Sequence, residues 1–244
     1  MKKITNSIWN SQEEEFAEKR LKLLESVSSE DVANSPFVFT TRQEITKALV
    51  RIDLFKKILD VQGSVVECGV YKGNSLFLYA HLSSILEPFN FNRKIIGFDT
   101  FEGFRSLDKE HDDKNLSESD FSETDYDLLT QFAEIESQNR AVSHIKKISL
   151  VKGDATETIP DFVSKNSHLI IALLYIDFDI YAPTKTALEY LLPLVPKGGI
   201  VAFDELNYDK WFGETVALKE TLEIGSVRLK KFYYSPFESY FEVE

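Results

Sequence analysis

Cysteine is almost absent: Cys68 stands alone among 244 residues, which excludes an intramolecular disulfide and a zinc site built on thiolates. Histidine is scarce too, and His81, His111, His144 and His168 are scattered without metal-ligand spacing. Positive charge is the minority sign. Lys plus Arg number 28 against 40 for Asp plus Glu, a net charge of -12 that opposes a polyphosphate backbone or an anionic membrane surface, so neither is an expected partner. No apolar run reaches the roughly 18 residues of a spanning helix, and no basic start precedes an apolar stretch at the N-terminus. A cytoplasmic protein is expected. Internal repeats and a linker dividing the chain into two cores are lacking as well. What is present is a chain 43% apolar, long enough for one sizeable core.

Strands are expected at residues 64–68, 94–99, 148–152, 169–177 and 200–204, alternating with helices such as 75–86 and 184–194. Strand and helix in repetition predict an α/β fold with a mostly parallel sheet covered on both faces, and the non-alternating runs IIALLYI and GIVAF fit strands buried on both sides. Residues 227–234 and 239–243 are joined by too short a link for a parallel crossover and are expected as a C-terminal antiparallel hairpin. Upstream, Thr41 and Glu44 form a capping-box pattern. Ile45, Leu49, Ile52, Phe55 and Leu59 then recur at helical spacing, predicting a helix that packs on the sheet through that stripe. Residues 1–40 are expected as an N-terminal helical arm or lid and 41–244 as the main domain. The acidic stretch 107–126, LDKEHDDKNLSESDFSETDY, has no apolar periodicity and reads as a long mobile loop or lid, or as a solvated insertion.

Ligands of open α/β sheets bind beyond the carboxyl ends of the strands, and here those ends carry acids. In VVECGVYKGNS, Glu67 ends a strand, Gly69 and Gly73 bracket a turn, and Ser75 opens a helix whose free amides suit an anionic group. The E-x-G-x-x-x-G spacing departs from G-x-G-x-x-G, which counts against a pyrophosphate; an ordinary glycine-rich turn is the alternative. In IIGFDTFEGF, Asp99 is placed to accept from both hydroxyls of a ribose or to cap a turn. In LVKGDATETIP, Asp154 suits an adenine contact or a helix N-cap. In YIDFDIY and GGIVAFDEL, Asp177 and Asp204 close neighbouring strands and Glu205 follows. Asp177, Asp179 and Tyr181, each two apart, share one face if the backbone is extended. Carboxylates converging without histidine or thiolate describe a hard-cation site, Mg²⁺ before Ca²⁺ or Mn²⁺; helix caps or water-facing acids are the alternative.

The blocks ECGVYKGNS, IIGFDTFEGF, KGDATETIP, LLYIDFDIYAPTKTALE, PKGGIVAFDE and WFGETVALKE span about 67–220 in order. Together they resemble a class I S-adenosylmethionine-dependent methyltransferase, and more closely the macrocin O-methyltransferase family, which acts on sugar hydroxyls of macrolides and related natural products. The resemblance implies a Rossmann-like fold and Mg²⁺-dependent methyl transfer to a hydroxyl of a small glycosyl or polyol acceptor. It implies that Glu67, Gly69, Tyr71, Gly73 and Ser75 surround the methionine part of the cofactor, that Asp99 binds its ribose, and that Asp154 approaches its adenine. It also implies metal ligation by Asp177, Asp204 and Glu205, with Asp179 as the base. A more distant resemblance to catechol O-methyltransferase supports the metal, but the position of its lysine base is Ile180 here, so that mechanism does not carry over. Phe101, Phe104, Tyr181, Tyr208, Trp211 and Phe212 are candidates for lining the acceptor pocket or for ordinary packing. Relatives of this kind often form homo-oligomers. Rival readings are a methyltransferase for a catechol-like phenol or a surface-polysaccharide sugar, and a cofactor-binding module without turnover.

Overall fold

The computed structural model describes residues 11–244, so residues 1–10 of the expected arm lie outside the described residues. The chain falls into two compact units, Met1–Ile45 and Thr46–Glu244. Among the described residues the first carries α1 (Ser11–Leu24), α2 (Ser29–Asn34) and α3 (Pro36–Phe39). Ser28 caps α2 by accepting from the Asp31 amide at 3.0 Å, and Pro36 opens α3, where its missing N–H costs nothing. Helix α4 (Arg42–Lys57) begins at the end of this unit, with Thr41 Oγ1 accepting from the Glu44 amide at 3.2 Å as the capping pattern predicts.

In the second unit strands and helices alternate: β1 (Ser64–Cys68), α5 (Asn74–Leu86), β2 (Ile95–Asp99), α6 (Tyr126–Gln138), β3 (Ile148–Lys152), α7 (Ala155–Lys165), β4 (Ile171–Ile176), α8 (Tyr181–Leu191), β5 (Ile200–Phe203), α9 (Gly213–Thr221), β6 (Lys230–Lys231) and β7 (Ser239–Glu242). The sheet has seven strands in the order β3-β2-β1-β4-β5-β7-β6. The first five are parallel, and β7 runs antiparallel to β5 and β6. Successive residues of a strand face opposite sides. Val65, Leu173 and Tyr175 accordingly join one core, and Val66, Leu174 and Ile176 the other.

Three expectations are corrected. Strand 227–234 shrinks to Lys230–Lys231, because a 3-10 turn at Ile224–Ser226 precedes it and Phe232 leaves the strand to pack at a tilt against Tyr240, 5.1 Å between ring centres. Strand 169–177 is Ile171–Ile176, ending one residue before its acid. Helix α4 buries Val50, Arg51, Leu54 and Phe55, with Ile58 just beyond it, whereas Ile45, Leu49 and Leu59 stay 40%, 45% and 41% exposed. Both stripes have helical spacing, so periodicity alone could not choose between them. The choice brings a guanidinium into the core.

Lys147, just before β3, is buried and donates to the Asn90 carbonyl at 2.7 Å. Burial pushes its ammonium down to about 8. A base whose pKa is depressed on folding costs stability while charged, and that cost disappears as pH rises through the folded value toward the unfolded one. Wild type should therefore gain stability relative to Lys147→Met between pH 8 and the ordinary lysine value near 10.4. Urea unfolding of both proteins across that range checks this; parallel curves would refute it.

Candidate active site

The parallel ladder lines up the acids. Cys68 registers with Ile176, and Ile176 with Phe203, so Gly69, Asp177 and Asp204 each stand one step past their strands in a single row. Backbone hydrogen bonds carry the ladder through that row, from Asp177 N–H to Cys68 at 2.7 Å and from Asp204 N–H to Ile176 at 3.0 Å. The Asp177 side chain keeps 24% of its surface exposed, so it lies at the floor of an opening rather than inside the core.

Loss of water and mutual repulsion set the electrostatics. Desolvation, then Asp204, hold Asp177 well above the usual carboxylate range, while desolvation and then Asp177, Glu205 and Asp204 do the same for Asp179. Glu205 is pushed up to about 7 by desolvation and then by Asp204, and its Oε2 is buried without a partner. Asp204 alone of the group lies below its ordinary value. Desolvation would raise it, but Arg51, Lys47 and the Tyr175 hydroxyl outweigh that.

Arg51 organises the cluster. It is 2% exposed and spreads its nitrogens over Asp204 (3.1 Å), Glu238 (3.0 Å), Ser75 Oγ (3.1 Å) and, more loosely, Asp177 (3.7 Å). Its guanidinium lies 4.5 Å from the centre of the Tyr175 ring, whose hydroxyl donates to Asp204 at 2.7 Å. Among the described residues, no three His, Cys, Asp or Glu side chains stand together as a ready-made metal site. The expected ligands Asp177, Asp204 and Glu205 are brought close enough to repel one another, yet they do not form a closed shell. As a donor set they still suit a hard cation: all oxygens, crowded negative charge and an unpartnered buried Glu205 oxygen.

The glycine turn is built for the protein's own packing. Gly69 has φ 96°, and a Cβ there would come within 1.8 Å of the Asp177 carbonyl oxygen. Gly73, φ 84°, faces Leu129 and Phe77 and starts α5 without a capping side chain, which leaves first-turn amides for an anion. Asp99 takes the Val70 and Tyr71 amides on Oδ2 at 2.8 and 2.7 Å and the Phe101 amide on Oδ1 at 2.6 Å. It thereby holds the turn: two amides fill Oδ2, and one acceptor position is left on Oδ1. Glu67, paired across the ladder between Gly97 and Tyr175, is 1% exposed with Oε2 unpartnered, and its carboxyl is held well up, first by burial and then by Asp177. Asp154 acts as an N-cap, accepting from the Thr156 amide at 2.9 Å and from the Ser106 hydroxyl at 2.6 Å. Ser75 is engaged with Arg51, and Tyr71 packs edge-on against Phe121 at 5.3 Å.

Extended alternation beyond β4 does not hold. Asp179 has φ 64°, so the backbone turns over between Asp177 and α8, and proximity of the two acids comes from that turn rather than from a shared strand face. Tyr181 does not continue toward the acids. It stacks on His111 at 4.4 Å, and its hydroxyl joins Glu220 and Lys185 at 2.5 and 2.7 Å. The acidic segment is pinned to the body, contrary to a free loop. Asp112, 4% exposed, accepts the Tyr181 amide at 2.7 Å, and Leu107, Leu116 and Phe121 pack with Phe104, Ile180, Trp211 and Tyr208. Of the candidate aromatics, Phe104, Trp211 and Tyr208 thus gather beside the acid turn, whereas Phe101 belongs to the main core. Sequence reasoning missed Arg51, Glu214 and Glu238. Arg51 was legible only as a charge inside an apolar helix face, and Glu214 lay unremarked within WFGETVALKE.

A mostly parallel sheet of this order with an antiparallel C-terminal pair, and a glycine turn leading into a helix that no side chain caps, is the Rossmann-like methyltransferase fold. Residues 52–220 match the profile of the family described as Macrocin-O-methyltransferase (TylF), and the chain belongs to that family. Two solved structures of CalS11 are similar over nearly the whole chain. One, a calicheamicin methyltransferase, is 32% identical, covers 96% of this chain and 93% of that one, and superposes with TM-score 0.90. The other, the apo form described as a TDP-rhamnose 3'-O-methyltransferase of calicheamicin biosynthesis, is 31% identical over 96% and 95% of the two chains with TM-score 0.82. The O-methyltransferase NovP, 17% identical over 82% and 80% with TM-score 0.62, shares the fold. Curated protein sequences give no match. No helix among the described residues is long and apolar enough to cross a membrane.

Proposed function

We propose that this enzyme methylates a hydroxyl of a sugar, free, nucleotide-activated or attached to a natural product, with Mg²⁺ held by Asp177, Asp204 and Glu205 and with Asp179 taking the proton. The observation that carries this reading is the convergence of these four acids, three of them held above their ordinary pKa, at the end of β4 and β5. Such repulsion is relieved by a cation. When bound, S-adenosylmethionine supplies an electrophilic methyl group and Mg²⁺ supplies Lewis acidity toward a ligated oxygen.

The protein's own residues do the rest. The free first-turn amides of α5 receive the cofactor carboxylate, and the acceptor position left on Asp99 Oδ1 receives a ribose hydroxyl. Asp154 edges the adenine side, and the Phe104, Trp211 and Tyr208 cluster walls the acceptor side. A sugar hydroxyl holds its proton tightly in water, so Asp179 accepts it as the new C–O bond forms. A cation on Asp177, Asp204 and Glu205 would offset the repulsion that raises Asp179 and leave its carboxylate free to take that proton. Similarity to CalS11, a TDP-rhamnose 3'-O-methyltransferase, favours a deoxysugar acceptor over a phenol. Ile180, where a lysine base would stand, also argues against the catechol mechanism.

Calorimetry should show S-adenosylhomocysteine binding that Asp99→Ala weakens by about tenfold or more, since hydrogen bonds to a charged group contribute about 1.5–3 kcal/mol. Asp177→Ala should abolish Mg²⁺-dependent turnover of TDP-rhamnose while leaving that binding intact. Turnover undiminished by either EDTA or Asp177→Ala would refute the metal reading.

A further inference from the structure

The turn joining β4 to α8 is clasped at two backbone amides by carboxylates from distant parts of the chain. Glu214, 1% exposed in the first turn of α9, accepts the Asp179 N–H on Oε1 at 3.2 Å. Asp112 accepts the Tyr181 N–H at 2.7 Å. Between them Asp179 sits at φ 64°, a left-handed conformation that residues with a side chain adopt sparingly and that its surroundings here hold in place. Gly213 makes the approach close: a Cβ there would stand 2.7 Å from the Tyr181 nitrogen, 2.9 Å from the Ile180 carbonyl carbon and 2.6 Å from Asp112 Oδ1. Glu214 Oε2 is buried without a partner, so this acid sits in the core at a cost that its single amide contact to Asp179 must justify.

We propose that Glu214 is a positioning residue, holding the Asp179 backbone in its left-handed turn and so aiming the Asp179 carboxylate at the acceptor hydroxyl. The proposal rests on Asp179 being the proton acceptor. Reach, not charge, is what the role requires. Glutamine at 214 keeps an acceptor oxygen where Oε1 lies, whereas aspartate keeps the charge but withdraws it by one methylene.

Glu214→Gln should therefore retain kcat with TDP-rhamnose. Glu214→Asp should lose on the order of 10–100-fold in kcat, part of what a well-placed base contributes, with KM and S-adenosylhomocysteine affinity unchanged. Combining Glu214→Asp with Asp179→Asn should add no further loss, because the two act as one unit. Amide exchange at Asp179, read by NMR without any acceptor, should stay slow in the glutamine variant and quicken in the aspartate variant. A Glu214→Asp enzyme with wild-type kcat, or with unchanged exchange, overturns the proposal, as does a glutamine variant as damaged as the aspartate one. Asp179→Asn with full activity would remove the base assignment instead, while an inactive Asp179→Asn beside an active Glu214→Asp removes the positioning role alone.

Discussion

Arg51→Met should destabilise the protein by about 3–5 kcal/mol, the cost of breaking a buried ion pair from one side. Methionine fills much of the volume, so the loss is electrostatic. It leaves Asp204 and Glu238, bound at 3.1 and 3.0 Å, and the nearby Asp177 without their fixed cation. Each kcal/mol moves the melting point of a domain this size by about 2–4 °C, so a fall of roughly 6–20 °C is expected. The gap to wild type should narrow as pH falls. Asp204 is depressed in the folded protein, so its contribution is present above the ordinary aspartate pKa and is lost as pH drops through the folded value. Added Mg²⁺ should recover part of the loss, because a divalent cation neutralises the same carboxylates, and that response reads the metal site without any assay of turnover. A melting point equal to wild type would show that the guanidinium is dispensable.

Gly69→Ala should be nearly as severe and should also abolish cofactor binding. Two costs combine: about 1–2 kcal/mol for a side chain in a left-handed conformation, and about 1–3 kcal/mol for forcing atoms into filled space. Here the filled space is backbone. The new Cβ would lie 1.8 Å from the Asp177 oxygen, which has little room to retreat because the peptide just before it is anchored by the Asp177 N–H bonded to Cys68 at 2.7 Å. Relief must come from moving the glycine turn, which carries the Val70 and Tyr71 amides off Asp99. Gly73→Ala is the control. Its nearest neighbours are the side-chain carbons of Leu129 and Phe77 at 2.9 and 3.1 Å, which can shift, so the effect should be milder. Thermal denaturation and S-adenosylhomocysteine calorimetry on both variants test this, and the idea fails if Gly69→Ala binds as wild type does.

Sequence patterns of short range were enough for the architecture. The runs SVVEC and ISLVK are strands at the expected residues, Thr41 caps its helix, and the alternation of strand with helix leaves a parallel sheet as the natural solution. The row of acids was legible for the same reason, since residues that end parallel neighbouring strands must share an edge. Three-dimensional packing decided the rest. Which stripe of α4 faced the sheet depended on competition between two helical faces, and with it whether Arg51 met the acids or water. The φ of Asp179 depended on Glu214 and Asp112, 35 and 67 residues away along the chain in opposite directions. The use of Gly69 depended on a carbonyl more than a hundred residues downstream. Local propensity sets what a segment can be. Which of its faces is charged, clasped or crowded is a property of the neighbours that folding brings, and in this protein those neighbours turn a row of repelling acids into an organised site.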